Sequence, residues 1–167
     1  NYIKKIKKTK KYKNIILMKR KNDTSKIVNF KKILQDASKY TQKLINIKPD
    51  LLTFLSIHAP YRKSSHISKT IDSIITKKCD SVLTVNIETD PVFTMSREGL
   101  RLINPGRLKG LFFEKENLYK FNGSVITMWE KTLKSKLLFG KKLFYVEIPI
   151  DDSYQIKRKI DVSRIKN

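Results

Sequence analysis

The chain has 167 residues, which is enough for one domain with a hydrophobic core and too few for two domains of ordinary size. A hydrophobic fraction of 40% excludes wholesale disorder, and no stretch approaches the roughly 20 apolar residues of a transmembrane helix. The net charge of +22 by itself would indicate RNA, DNA or an anionic membrane as partner.

The charge has a second explanation in the composition. Most basic residues are lysines that occur beside many Ile and Asn residues, a bias that a genome rich in A and T produces. We therefore expect a solvated charged surface, with no membrane partner and no dedicated nucleic-acid site. Cys79 is the single cysteine, which excludes an intrachain disulfide and predicts a cytoplasmic protein.

The first half of the chain alternates between predicted strands and helices. A short apolar run at residues 14–18 predicts a buried strand. A helix follows, because apolar residues recur at steps of three and four positions: Phe30, Ile33, Leu34, Ala37, Leu44 and Ile45. Apolar runs at 51–57 and 81–87 predict two more strands, and Ser64 or Ser65 is expected to cap the helix between them. This alternation predicts a largely parallel sheet.

The second half departs from that alternation. Two apolar segments flank the turn-forming residues 96–99, so residues 91–103 predict a hairpin. Beyond it, the pattern predicts a strand at 123–128, a short helix through Leu133 and Leu137, a last strand at 142–148 and a terminal helix at 153–162.

A candidate ligand site lies in the loop from His58 to Lys63. The loop follows a predicted strand, and ligands of open α/β sheets bind at the carboxyl ends of strands. His58 can act as an acid or base near pH 7, and the planar guanidinium of Arg62 suits a phosphate or a carboxylate. The alternative interpretation is an ordinary surface turn with one exposed arginine.

Four groups of residues resemble, in order, the motifs of one enzyme family. They are Leu55-Ser-Ile-His-Ala-Pro-Tyr-Arg62 with Ser65-His-Ile67; Asp80-Ser-Val-Leu-Thr-Val85; Asn122-Gly-Ser-Val-Ile126; and Phe144-Tyr-Val-Glu-Ile148 with Ser153-Tyr-Gln-Ile-Lys157. Their order and spacing over roughly residues 15–162 resemble the acylneuraminate cytidylyltransferases, the family of the CMP-sialic acid synthetases.

The resemblance implies a nucleotide-diphospho-sugar transferase fold. This is a Rossmann-like three-layer α/β/α sandwich, with a mostly parallel sheet, one antiparallel strand and a hairpin excursion. On this basis residues 1–13 are a basic tail, residues 14–162 are a partial cytidylyltransferase-like domain, and residues 163–167 are a second tail. Residues 91–119 correspond to the excursion that supports a homodimer in the family.

The resemblance also implies an activity and a set of site residues. The family transfers CMP from CTP to a sialic-acid-like nonulosonic acid with release of pyrophosphate, and it uses Mg²⁺. The substrate-binding residues expected here are His58, Arg62, Lys120, Asn122, Gly123 and Gln155. Lys115 is a further candidate for anion binding.

The chain departs from the family pattern in two places. The family's opening strand and its Gly-Gly-Ser-Lys type phosphate loop have no counterpart, so we expect the domain to be incomplete at its N-terminus. The two aspartates that the family offers to Mg²⁺ correspond to Gln155 and Lys157, and a charged lysine cannot bind a hard cation. Asp151 and Asp152 are the remaining metal candidates, with helix capping as their alternative role.

Two other functions stay open on the sequence alone. The replaced aspartates favour a non-catalytic module that keeps the sheet and binds a sugar nucleotide or a protein partner. The tyrosines interleaved with lysines at residues 2–12 favour a basic nucleic-acid-binding protein, whose affinity would fall steeply with salt.

Overall fold

The computed structural model describes residues 15–18, 30–104, 118–158 and 161. Its helices and strands are α1 (Phe30–Ile45), β1 (Leu51–Leu55), α2 (Ser64–Thr76), β2 (Ser81–Ile87), β3 (Val92–Ser96), β4 (Gly99–Asn104), β5 (Tyr119–Trp129) and β6 (Leu143–Glu147). Two 3-10 turns, Glu130–Lys134 and Asp151–Ser153, follow β5 and β6 respectively.

The larger sheet has four strands in the order β1-β5-β2-β6. Strand β5 is antiparallel to both β1 and β2, whereas β2 and β6 are parallel. Strands β1, β2 and β6 therefore share one direction, which confirms the predicted sheet with one antiparallel strand. Because β5 lies between β1 and β2, two of the three neighbouring pairs still bond in the antiparallel pattern.

A helix covers each face of this sheet. Helix α1 contributes to a core on one face that contains Leu34, Leu83, Val85, Ile126, Met128 and Leu133. Helix α2 contributes to a core on the other face that contains Ile74, Cys79, Val82, Val146 and Ile148. Val82 and Leu83 belong to different cores because successive side chains of a strand point to opposite faces. The α/β/α layering is thus confirmed.

The predicted hairpin forms as a separate sheet of two strands, β3 and β4. Its turn requires Gly99, whose φ is +114°, a conformation that residues with a Cβ rarely adopt. The Ser96 hydroxyl donates a hydrogen bond of 2.8 Å to the Gly99 carbonyl. Large apolar side chains of the ribbon remain exposed: Phe93, Met95, Leu100 and Ile103.

One predicted strand is absent, and another is shorter than predicted. Residues 15–18 carry no strand, and the side chains of Ile15 and Ile16 are 52% and 42% exposed. A run of this length fits a strand, but a strand also needs a neighbour to pair with, and a local pattern does not supply one. Strand β1 ends at Leu55, because Ser56 turns the chain, accepting a bond from Ala59 N, and leaves Ile57 87% exposed.

The predicted helices after β5 and β6 are also corrected. A 3-10 turn over Glu130–Lys134 replaces the expected helix through Leu137. The helix expected at 153–162 is absent from residues 154–158, because their amides are bonded elsewhere. Ile156 N donates to the His58 carbonyl, and Lys157 N and Arg158 N both donate to the Asp161 carboxylate.

The described residues include no helix that is long and apolar enough to cross a bilayer. The predicted tails at 1–13 and 163–167, and residues 105–117 of the predicted excursion, lie outside the described residues. Cys79 is buried in the α2-side core, in agreement with a structural role.

Candidate functional site

A cleft of about 590 Å³ lies at the carboxyl end of β2. Because β5 runs antiparallel, its first residues reach the same edge, and Asn86 pairs with Lys120 in the register. The third wall is the segment that follows β6, from Ile150 to Arg158. Three elements that are distant in sequence therefore build one site, at the edge where open α/β sheets bind their ligands.

The floor of the cleft is a network of buried amides. Asn122 Oδ1 accepts hydrogen bonds from the Thr84 hydroxyl at 2.7 Å and from Ser124 N at 3.1 Å. Asn122 Nδ2 donates to Asn86 Oδ1 at 3.2 Å, and Asn86 Nδ2 donates to the Ile148 carbonyl at 2.7 Å. Asn86 and Asn122 are each 9% exposed, so the network fixes both amides at the cleft surface.

An irregularity in the sheet creates the position of this network. The register between β2 and β5 shifts between Leu83 and Val85. At the shift the Thr84 hydroxyl accepts a bond of 2.9 Å from Val125 N, so that it takes the place of a backbone partner. Such bulges change the direction of nearby side chains, and this one lies directly beneath Asn122.

Gln155 closes the cleft over the start of β5. Its side-chain amide donates to the Asn122 carbonyl. Gly123 lies below it with φ +68°, and a Cβ at this position would come within 2.7 Å of Gln155 Nε2. The backbone conformation therefore favours glycine, and a Cβ here would also force the Gln155 side chain to move.

The rim carries charges of both signs. Lys120 Nζ lies 3.3 Å from Glu88 Oε2, and the amide of Asp90 holds the pKa of Glu88 below its usual range. Asp161 is only 4% exposed, and the backbone amides of residues 157 and 158 lower its pKa. Arg158 Nη2 lies 3.9 Å from Asp161 Oδ1, so two of the rim cations lie beside carboxylates of the same cleft. The side chains of Lys120, Lys157 and Arg158 are nevertheless exposed at the rim.

The loop after β1 lies outside the cleft lining. Arg62 Nη1 donates to the Ser56 carbonyl at 2.7 Å and to the Ser124 carbonyl at 3.3 Å, which ties the end of β1 to β5. His58 is exposed, and its carbonyl accepts from Ile156 N. Both residues therefore contact the strand or segment that builds the cleft rather than the cleft itself.

Asp152 joins the segment after β6 to the start of α2. Its Oδ2 lies 2.8 Å from Lys63 Nζ and 3.3 Å from His66 Nε2. The hydrogen bond from Lys63 lowers the pKa of Asp152. His66 Nδ1 accepts from Lys63 N at 3.3 Å, and burial lowers the pKa of His66 despite the attraction of Asp152. The imidazole is thereby held neutral between two fixed partners.

The described residues do not fit a Mg²⁺ site. They contain no group of three or more His, Cys, Asp or Glu side chains that is able to hold a metal ion. Gln155 and Lys157 stand at the cleft where the resembling family has aspartates, and Asp152 is engaged by Lys63 and His66. Asp151 is exposed and does not line the cleft.

The structure brings together only some of the predicted site residues. Lys120, Asn122 and Gln155 line the cleft, and Gly123 adjoins it, whereas Lys115 lies outside the described residues. The sequence interpretation did not select the other polar residues of the lining: Asn86, Glu88, Thr89, Asp90, Ser153, Tyr154, Lys157, Arg158 and Asp161. Ligands of open α/β sheets bind at the carboxyl ends of strands. Applying this rule to β2, as was done for β1, would have selected Asn86, Glu88 and Asp90.

Sequence comparisons give no relative for this chain. No family model matches it, and no curated protein matches it. The resemblance to the acylneuraminate branch therefore rests on the sequence motifs alone.

A comparison with solved structures does find a match. The fold is similar to the crystal structure of 4-diphosphocytidyl-2C-methyl-D-erythritol synthase from Anaerococcus prevotii, with a TM-score of 0.51 and 13% identity. The match covers 77% of this chain and 64% of that chain. The molecule is thus an α/β protein of Rossmann-like architecture. More closely, its fold is similar to that of this synthase.

Proposed function

We propose that the cleft binds an acidic sugar, and that the described domain carries the acceptor half of a cytidylyltransferase site. The donor would be CTP and the acceptor a nonulosonic acid, as the sequence motifs imply. The observation that supports this most is the combination of a fixed amide floor with three basic side chains, Lys120, Lys157 and Arg158, around one cleft.

The chemistry of the lining suits such an acceptor. Amide side chains both donate and accept hydrogen bonds, which matches the hydroxyl groups of a sugar. Ammonium and guanidinium groups form stronger, charge-assisted bonds with a carboxylate. Asn86, Asn122 and Gln155 are held by internal bonds, so ligand binding does not have to order them.

The proposed reaction is attack by the anomeric hydroxyl of the sugar acid on the α-phosphate of CTP, with pyrophosphate as the leaving group. Such phosphoryl chemistry depends on placing the two reactants in line and on stabilising negative charge. In this proposal the cleft fixes the attacking hydroxyl. No step is assigned to Mg²⁺, because the described residues do not provide its ligands.

The test is a calorimetric titration of the chain with N-acetylneuraminate. We expect binding, and we expect K120Q/R158Q to weaken it by about tenfold or more, because each charge-assisted bond contributes roughly 1.5–3 kcal/mol. The matched control is K39Q/K43Q, which removes the same charge from the exposed side of α1. Equal affinities of wild type and both variants, or no binding at all, would contradict the proposal.

A non-catalytic sugar-binding module is the second candidate. The observation in its favour is Lys157, a cation on the cleft wall where the resembling family offers a metal ligand. Release of pyrophosphate from CTP in the presence of N-acetylneuraminate and Mg²⁺ distinguishes the two functions. Turnover supports the enzyme, and acceptor binding without turnover supports the module.

We also propose that the β3–β4 hairpin contacts a second copy of the chain. Phe93, Met95 and Leu100 share one face of the ribbon and are 52%, 75% and 69% exposed. An isolated hairpin of two strands is marginally stable in water, so covering this face would stabilise it. Light scattering should give a dimer for the wild type and a monomer for M95D/L100D, and a monomeric wild type would contradict this.

A further inference from the structure

A basic loop with an apolar tip lies at one end of the sheet's strands, and the cleft lies at the other end. This basic loop, residues 134–142, connects the 3-10 turn after β5 to the start of β6. Leu137 and Leu138 at its centre are 52% and 42% exposed. The lysines on either side of them are all exposed: Lys134, Lys136, Lys141 and Lys142.

The fold holds the base of this loop in place. Phe139 packs against the α1-side core. Asp80 Oδ2 accepts bonds from Lys141 N at 2.8 Å and from Lys142 N at 2.9 Å, and these amides lower the pKa of Asp80. The Ser135 carbonyl accepts from Lys31 Nζ. The two leucines are therefore presented on an anchored loop instead of folding back into the core.

The charge around the loop is predominantly positive. Residues 130–142 contain five lysines and one glutamate, which gives a formal charge of +4 from 5 − 1. That glutamate, Glu130, lies 3.5 Å from Lys48 Nζ, and Asp80 is occupied by backbone amides. Lys77 lies beside the loop as well, since its carbonyl accepts a bond from Lys142 Nζ.

We propose that the basic loop docks the protein on a membrane surface of anionic phospholipid. Lysines attract acidic headgroups, while adjacent aliphatic side chains enter the boundary between headgroups and acyl chains. The combination favours lipid over single-stranded nucleic acid, which is bound mainly through its phosphates and through stacking of bases on aromatic side chains. The inference departs from the expectation of no membrane partner, and it is independent of the proposed function.

The experiment is co-flotation of the full chain with vesicles of phosphatidylcholine alone or mixed with phosphatidylserine. We expect binding to the mixed vesicles only. L137S/L138S should weaken it by about tenfold or more, from the lost apolar insertion. K134Q/K136Q should weaken it by about 30-fold, since each lysine near an anionic surface contributes about 1 kcal/mol.

Two matched controls keep the test specific to the basic loop. I57S removes an exposed apolar side chain from the loop after β1, and K39Q/K43Q removes two exposed lysines from α1. Both should bind within about twofold of wild type, because neither variant removes a side chain of the basic loop. Equal binding of all variants would assign the affinity to overall charge and overturn the proposal. The proposal would also be overturned if the chain does not bind vesicles but binds poly(U) in a way that does not depend on the two leucines.

A second readout applies if the serine variant does not fold. L138W should show fluorescence quenching by lipids that are brominated in their acyl chains, beyond any quenching of Trp129 in the wild type. Vesicle binding of L138W without this added quenching would overturn the insertion of the loop.

Discussion

Asn122 connects two strands and the floor of the cleft through one side chain. Its amide bonds Thr84 and Asn86 of β2 as well as the backbone of its own strand, and Asn86 extends the link to the Ile148 carbonyl after β6. Buried polar groups of this kind stabilise a fold only when all of their partners are present. Removing one member should therefore cost more than one ordinary hydrogen bond.

The Asn122→Ala variant tests this network. It leaves Asn86 Oδ1 and the Ser124 amide without their bonds, so we expect a loss of about 1–3 kcal/mol in the free energy of unfolding. Urea denaturation measures the change. Thr89→Ala, an exposed position at the same cleft, is the control and should stay within about 0.5 kcal/mol of wild type. Equal stability of both variants and wild type would show that the network contributes nothing.

At the scale of elements, the start of α2 depends on a neutral histidine. His66 Nδ1 accepts the Lys63 amide, and Nε2 faces Asp152 at 3.3 Å. Burial lowers the pKa of His66 below its ordinary value of 6.5, and Lys63 and Lys69 act in the same direction. The unfolded chain therefore takes up this proton at a higher pH than the folded chain.

This difference predicts a pH dependence of stability. His66 contributes its full stability above about pH 6.5, and that contribution declines as the pH falls through 6.5 toward the lower folded pKa. Thermal melting between pH 7.5 and 5.5 measures the decline. The slope should be smaller in His66→Gln and unchanged in His58→Gln, which replaces the other, exposed histidine. Identical slopes in all three proteins would refute the assignment.

The packing of α2 gives a second test at this scale. Ile74 and Ile75 are adjacent in the helix, but Ile74 is fully buried and Ile75 is 56% exposed. Ile74→Ala should lower the free energy of unfolding by about 2–5 kcal/mol, from lost burial and the cavity that remains. Ile75→Ala should change it by less than about 1 kcal/mol. Equal losses in chemical denaturation would contradict the orientation of the helix.

The sequence alone was sufficient for elements whose signal is local. The stripe of α1, the hairpin turn and the apolar strand β2 all follow from spacing and turn chemistry. The existence of α2 follows in the same way, but its N-cap is Lys63 instead of the predicted Ser64 or Ser65. The prediction of a terminal helix was wrong because Ile156 N donates to the distant His58 carbonyl, a contact that no local pattern encodes. The strand at 14–18 was wrong for the related reason that strands require partners elsewhere in the chain.

For the whole molecule, the order of the strands decides which residues form the site. Asn86, Lys120 and Gln155 are separated by tens of residues, and they meet because β5 lies between β1 and β2 and runs against them. Family motifs identified Asn122 and Gln155 as candidates, and Lys120 was selected only as a basic residue able to bind an anion. Arg158 and Asp161 carry no motif signal, and their place in the cleft follows only from the path of the chain after β6.

The structure also separates two surfaces, which lie at opposite ends of the sheet's strands. The cleft lies at the carboxyl end of β2, and the basic loop precedes the start of β6, which is parallel to β2. A protein docked through the basic loop would thus leave the cleft open to a dissolved substrate. Variants of one surface should leave the other function intact, so the two proposals are tested independently.

The claim that the cleft binds an acidic sugar is tested most directly by an NMR titration with N-acetylneuraminate that follows side-chain amide resonances. We predict saturable shifts for the amides of Asn86, Asn122 and Gln155, which line the cleft. Asn46, exposed at the end of α1, should not shift. Shifts absent from the three cleft amides, or equal to those of Asn46, would contradict the account.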